Sequence, residues 1–238
     1  MRNPILVALD LAEGDAALKL VKAVAPVVGG FKVGKELFVR TGPDLIRHLC
    51  AQGARVFLDL KFHDIPNTVA RAVSAATELG VGMMTVHAAG GRAMLEAAEK
   101  AAWETAARLG HEPPVILGVT VLTSLGQSDL AEVGIATPLA QQVERLALLS
   151  VAAGLRGLVC SPMEVAFLRR LVPQTCQLVT PGIRAPDAPA DDQKRTLSAA
   201  QALEAGADWL VVGRPIHAAP DPCRAVEEIL SSLTGRGV

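Results

Sequence analysis

The chain has 238 residues and a formal net charge of −1, with 50% hydrophobic and 20% charged residues but only 3% aromatics and no tyrosine. This balance excludes the basic footprint that nucleic acid or an anionic membrane surface requires, and the scarce aromatics exclude a stacking platform for single strands. No apolar run approaches the roughly 20 residues of a membrane-spanning helix, and the opening "MRNPILVALD" ends its short apolar stretch in an aspartate, unlike a signal peptide.

Strand-length runs rich in Val, Ile and Leu follow one another along the chain: 4–10 ("PILVALD"), 30–34 ("GFKVG"), 55–61 ("RVFLDLK"), 82–87 ("GMMTVH"), 114–120 ("PVILGVT"), 156–160 ("RGLVC"), 176–181 ("CQLVTP") and 208–213 ("DWLVVG"). Ala/Leu/Glu-rich segments at 66–80, 90–110, 139–153 and 197–205 predict helices between them, and the long interval after Thr120 has room for another around "SLGQSDLAEVG". The runs recur about every 30 residues, the length of one βα unit. An open doubly wound sheet is one solution; eight regular units favour closure into a single (β/α)8 TIM barrel over 1–238. No linker or low-complexity tract divides the chain, and the Pro/Ala/Asp-rich stretch 185–192 reads as a mobile loop. Cys50, Cys160, Cys176 and Cys223 are widely separated and form no C-x-x-C pair, so reduced thiols and a cytoplasmic location are expected. Cys160 reads as a core residue.

In such a barrel, catalytic groups stand at the carboxyl ends of the strands. Polar residues collect there in unit after unit: Asp10, Lys32, Asp59 with Lys61, His87, Thr120, then "PGIR" and "GRP". In "LDLKFHDIPNT" (58–68) the two-residue repeat of a strand puts Asp59 and Lys61 on the face of Phe57, inward at the barrel mouth, with Leu58 and Leu60 toward the helices. Alone, an Asp-x-Lys pair is an ordinary ion pair. Asp10 and Lys32 arrive at the same level from neighbouring strands, and Asp64 lies three residues past Lys61 in the loop before Pro66. A lysine fixed among carboxylates can deliver a proton to a developing carbanion.

Barrels often grip phosphate with the loops after strands seven and eight. Here those loops carry Gly182 with Arg184, and Gly213 with Arg214; Gln193 lies nine residues beyond Arg184, so the loop between them could close as a lid. Thr120, Thr123 and Ser124 could read the edge of a polar ring or cap the next helix. His87 reads equally as a structural and as a catalytic histidine. His48, His63, His111 and His217 have no ligand spacing, so no metal site is proposed.

Taken together, "LDLKFHDIPNT", "FKVGKELF", "VHAAGG", "VTVLTS", "TPGIR…DDQKR" and "VVGRPI" resemble the orotidine 5'-monophosphate decarboxylase family, over essentially the whole chain from Ile5 to about Pro222. The resemblance implies cofactor-independent decarboxylation of orotidine 5'-monophosphate to uridine 5'-monophosphate, the last step in making that nucleotide. It implies Lys61 as proton donor, Asp59 and Asp64 as its flanking acids and Lys32 as completing the network. Asp10 and Lys32 would also hold the ribose, Thr123 would contact the pyrimidine, and Arg184, Gln193, Gly213 and Arg214 would serve the phosphate and lid. Asp64 and Thr68 would reach the partner's site, which makes the active unit a homodimer. His217 departs from the family pattern, where a small hydroxyl residue is expected, and is read as lying beyond the phosphate contacts. Two other readings share the Asp-x-Lys-x-x-Asp core: a magnesium-dependent sugar-phosphate decarboxylase or aldolase on the same barrel, and a phosphometabolite-binding module without chemistry.

Overall fold

The computed structural model describes residues 3–183 and 196–234. Eight strands close into a barrel in sequence order: β1 (Ile5–Ala8), β2 (Gly30–Gly34), β3 (Val56–Phe62), β4 (Met83–His87), β5 (Val115–Val119), β6 (Gly157–Val159), β7 (Gln177–Thr180) and β8 (Trp209–Val212). Every neighbouring pair is parallel, and β8 returns to β1 through Ile5–Leu210 and Leu6–Val211. The barrel expected from the spacing is therefore the one observed.

The two-residue repeat divides the strands between two cores. Leu6, Ala8, Phe57, Met83, Val115, Leu117, Val179, Trp209 and Val211 fill the inside of the barrel. Ile5, Val7, Phe31, Val33, Leu58, Met84, Val86, Ile116, Leu178, Leu210 and Val212 pack outward on the helices. Trp209 occupies the floor; its Nε1–H donates to Gln177 Oε1 at 2.8 Å, and the Arg55 guanidinium stands 5.2 Å from its ring.

The helices follow the sequence signals closely. Pro66 opens the helix Pro66–Glu78, where a missing N–H costs nothing, and the residue before it, Ile65, is extended as a pre-proline residue must be. Arg92–Leu109 ends at Gly110, whose φ of +72° supplies the left-handed turn. Leu139–Ala152 and Ala199–Glu204 lie within the expected ranges, and the extra helix of the long interval is Gln127–Glu132. All four cysteines are free. Among the described residues no helix is long and apolar enough to cross a membrane.

Candidate active site

At the carboxyl ends of the strands lies a cavity of about 560 Å³. Continuing the inward repeat one step past the packed interior brings polar atoms to its wall. Leu6 and Ala8 lead to Asp10, Phe57 to Asp59 and Lys61, and Trp209 and Val211 to Gly213. Lys32 lies in register with both Ala8 and Phe57, so it arises between the two aspartate-bearing strands.

These four charges form two pairs. Lys32 Nζ donates to Asp10 Oδ1 at 2.7 Å, with the lysine side chain 11% exposed and the aspartate 54%. Lys61 Nζ donates to both oxygens of Asp59, at 2.8 and 2.9 Å. Burial alone would raise the Asp59 pKa. The charges of Lys61 and Lys32, with hydrogen bonds from Lys61 and Thr85, outweigh it and hold the carboxyl below its ordinary value. Space for the first pair comes from Gly34: a Cβ there would lie 3.1 Å from Lys32 Nζ and 3.4 Å from Asp10 Oδ1.

Lys61 is the one described non-glycine residue with positive φ, at +54°. Its neighbourhood is irregular, because the β3–β4 register shifts between Leu58 and Phe62. Holding a side chain in this region costs on the order of 1–3 kcal/mol, and such strain concentrates at functional sites.

Thr123, Ser124, Gly182, Gly213 and Arg214 also line the cavity, so residues expected at the ring edge and at both phosphate loops reach the same space as the charged pairs. Arg184 and Gln193 lie outside the described residues. Thr120 does not line the cavity. It is buried, and its hydroxyl donates to the Val159 carbonyl at 3.3 Å. Cys160 is buried in the core, as expected, and also contributes to the cavity wall.

Asp64 stands apart from the charged pairs of its own chain: it is exposed and accepts a 2.6 Å hydrogen bond from the Ile65 N–H. Pro66 starts its helix just after, and the segment 63–68, Thr68 included, is exposed. One placement differs from the sequence reading. His217, read as lying beyond the contacts, lines the cavity with Gly213 and Arg214. The reason is that Arg214–His217 is a single helical turn, which keeps its last residue on the same face as its first, within reach of the cavity. Burial lowers the His217 pKa, and the charges of Arg214 and Lys32 lower it further against the pull of Asp10.

His87, at the end of β4, packs its ring 5.3 Å from that of His63. Burial, then the charges of His63, Lys61 and Lys35, lower its pKa against the opposing effect of Asp59. Thr85, two residues earlier, went unnoticed in the sequence because a threonine inside a strand is ordinary β-propensity. It is fully buried and bonded to both Asp59 and Lys61. Among the described residues no three His, Cys, Asp or Glu side chains gather as a metal would need.

A closed parallel barrel that gathers two aspartates and two lysines on a cavity at its carboxyl end is built as a (β/α)8-barrel enzyme. The description "Orotidine 5'-phosphate decarboxylase / HUMPS family" matches residues 3–229. The orotidine 5'-phosphate decarboxylase of Pseudomonas entomophila is 48% identical over 234 residues, 98% of each chain. That of Syntrophotalea carbinolica is 47% identical over 232 residues, 98% of this chain and 95% of the relative. The crystal structure of orotidine 5'-phosphate decarboxylase from Lactobacillus acidophilus superposes with a TM-score of 0.86 at 39% identity, covering 97% of this chain and 99% of that one. The chain belongs to the orotidine 5'-phosphate decarboxylase / HUMPS family and is a decarboxylase of it.

Proposed function

We propose that the chain, working in the cytoplasm as one barrel over residues 1–238, converts orotidine 5'-monophosphate to uridine 5'-monophosphate and carbon dioxide without a cofactor. The observation that carries this reading is the Lys61 ammonium, bonded to both oxygens of Asp59 on the cavity wall. The bond between the pyrimidine ring and its carboxylate breaks, carbon dioxide leaves, and the electron pair stays on the ring carbon. Lys61 Nζ–H gives its proton to that carbon, and the amine left behind takes a proton from solvent. The ring delocalises this charge poorly, so a fixed ammonium beside it is the natural stabiliser. Asp59 aims Lys61, and Lys32 lends its charge to the same carboxylate while holding the ribose with Asp10. Thr123 contacts the pyrimidine. Gly213 and Arg214 bind the phosphate, together with Arg184 and Gln193. The expected result is one carbon dioxide released per uridine monophosphate formed, from orotidine 5'-monophosphate alone. Release only from a sugar phosphate supplied with magnesium would contradict the reading.

The outward placement of 63–68, with Ile65 66% exposed, supports a homodimer in which Asp64 and Thr68 complete the partner's cavity. Asp64→Ala and Lys61→Ala proteins should each be inactive, yet mixing them should restore about a quarter of wild-type activity. Half of randomly exchanged dimers would be hybrids, each with one intact site. No recovery despite demonstrated subunit exchange would rule out sharing.

A further inference from the structure

We infer that Thr85 is a positioning residue that fixes Lys61 and Asp59 relative to each other through its hydroxyl. The inference rests on the role proposed for Lys61. The hydroxyl accepts the Lys61 backbone N–H at 2.9 Å and donates to Asp59 Oδ1 at 3.0 Å, while Lys61 Nζ donates to the same carboxylate. The three residues close a ring of hydrogen bonds: the Lys61 amide donates to the Thr85 hydroxyl, the hydroxyl to the Asp59 carboxylate, and the Lys61 ammonium to that same carboxylate.

The backbone explains why a side chain is needed at this point. From Phe57–Met83 and Leu58–Met84 the pairing shifts to Phe62–Val86, so β3 carries two more residues than β4 across the interval. Within that bulge Lys61 adopts a φ of +54°, and its amide turns to the Thr85 hydroxyl. Thr85 itself follows Met83 on the inward face of β4 and is fully buried. Its rotamer is held by packing, so the oxygen serves as a fixed post on a rigid strand. Without the oxygen, the Lys61 amide loses its partner, and Asp59 Oδ1 keeps only the Lys61 ammonium to hold it.

Thr85→Val keeps the shape and removes the hydroxyl; Thr85→Ser keeps the hydroxyl and removes a methyl. For Thr85→Val, kcat should fall about 10- to 100-fold, the scale expected when reacting groups are misplaced by an ångström or less. Uridine 5'-monophosphate affinity should change less than about threefold, a bound set by the direct ligand contacts being untouched. Titrating binding-competent sites with that nucleotide on the same preparation expresses kcat per folded site. Thr85→Ser should return kcat to within about threefold of wild type. Wild-type kcat in Thr85→Val, equal losses in the valine and serine variants, or parallel losses of kcat and affinity would each overturn the inference. Lys61→Ala assayed alongside separates the two levels: if it is active the Lys61 role itself fails, whereas an inactive Lys61→Ala with a fully active Thr85→Val removes only the role of Thr85.

Discussion

Lys61→Ala is expected to abolish measurable turnover while leaving uridine 5'-monophosphate bound within about tenfold of wild type, a difference of about 1.4 kcal/mol. Two effects disappear together. A positioned proton donor contributes about 10²–10⁴-fold, and a preorganised charge at a developing anion about 10²–10³-fold. If they acted independently, the loss in kcat would reach about 10⁴-fold or more. Ground-state binding is spared because Lys61 Nζ is already engaged by Asp59 and the product carries no charge on the reacting carbon. The deletion does leave Asp59 without its closest cation; Lys32 remains as the next one. Steady-state kinetics and equilibrium binding on one preparation check both halves. A Lys61→Ala enzyme near full activity would remove the central assignment.

Arg214→Ala is expected to lower kcat/KM for the nucleotide by about 10²–10³-fold, since an arginine–phosphate contact with two charge-assisted bonds is worth about 3–4 kcal/mol. The same change should leave the phosphate-free nucleoside almost unaffected, because that substrate never uses the contact. The wild-type enzyme should already turn the nucleoside over poorly. The physical reason is that the phosphate lies remote from the bond that breaks, so its binding energy can be used to orient the ring against Lys61. Measuring kcat/KM for both substrates on both proteins gives the four values needed. Equal turnover of nucleoside and nucleotide by the wild type would contradict the assignment of Arg214 and Gly213.

Much of this was legible in the chain because barrel geometry turns a simple sequence pattern into a place. A short Val/Ile/Leu run that recurs once per βα unit reads as a buried parallel strand, and a charged residue on its inward face toward the carboxyl end, or just past that end, points into the barrel mouth. Asp10, Lys32, Asp59 and Lys61 were found that way, and all four line the cavity. The segment 63–68 was harder. Spacing puts Asp64 near Lys61 along the chain but does not say which way the segment faces, and the whole of it is exposed. Thr85 was hidden by its chemistry: its β-branch suits any strand, and only the bulge in the neighbouring strand gives its hydroxyl a task. The positive φ of Lys61 had no sequence signal either, since lysine is not a residue that prefers it. His217 was placed too far away because one helical turn returns its fourth residue to the face of its first, beside Arg214.

The most direct test is spectrophotometric: purified protein in excess chelator, supplied with orotidine 5'-monophosphate, followed by the ultraviolet change as the substrate becomes uridine 5'-monophosphate. Rapid, complete conversion by the wild type, with none by Lys61→Ala, is the predicted result. An unchanged spectrum from the wild type, with activity on a sugar phosphate appearing once magnesium is restored, would contradict it and turn Asp59, Lys61 and Asp64 into a metal and enediolate site.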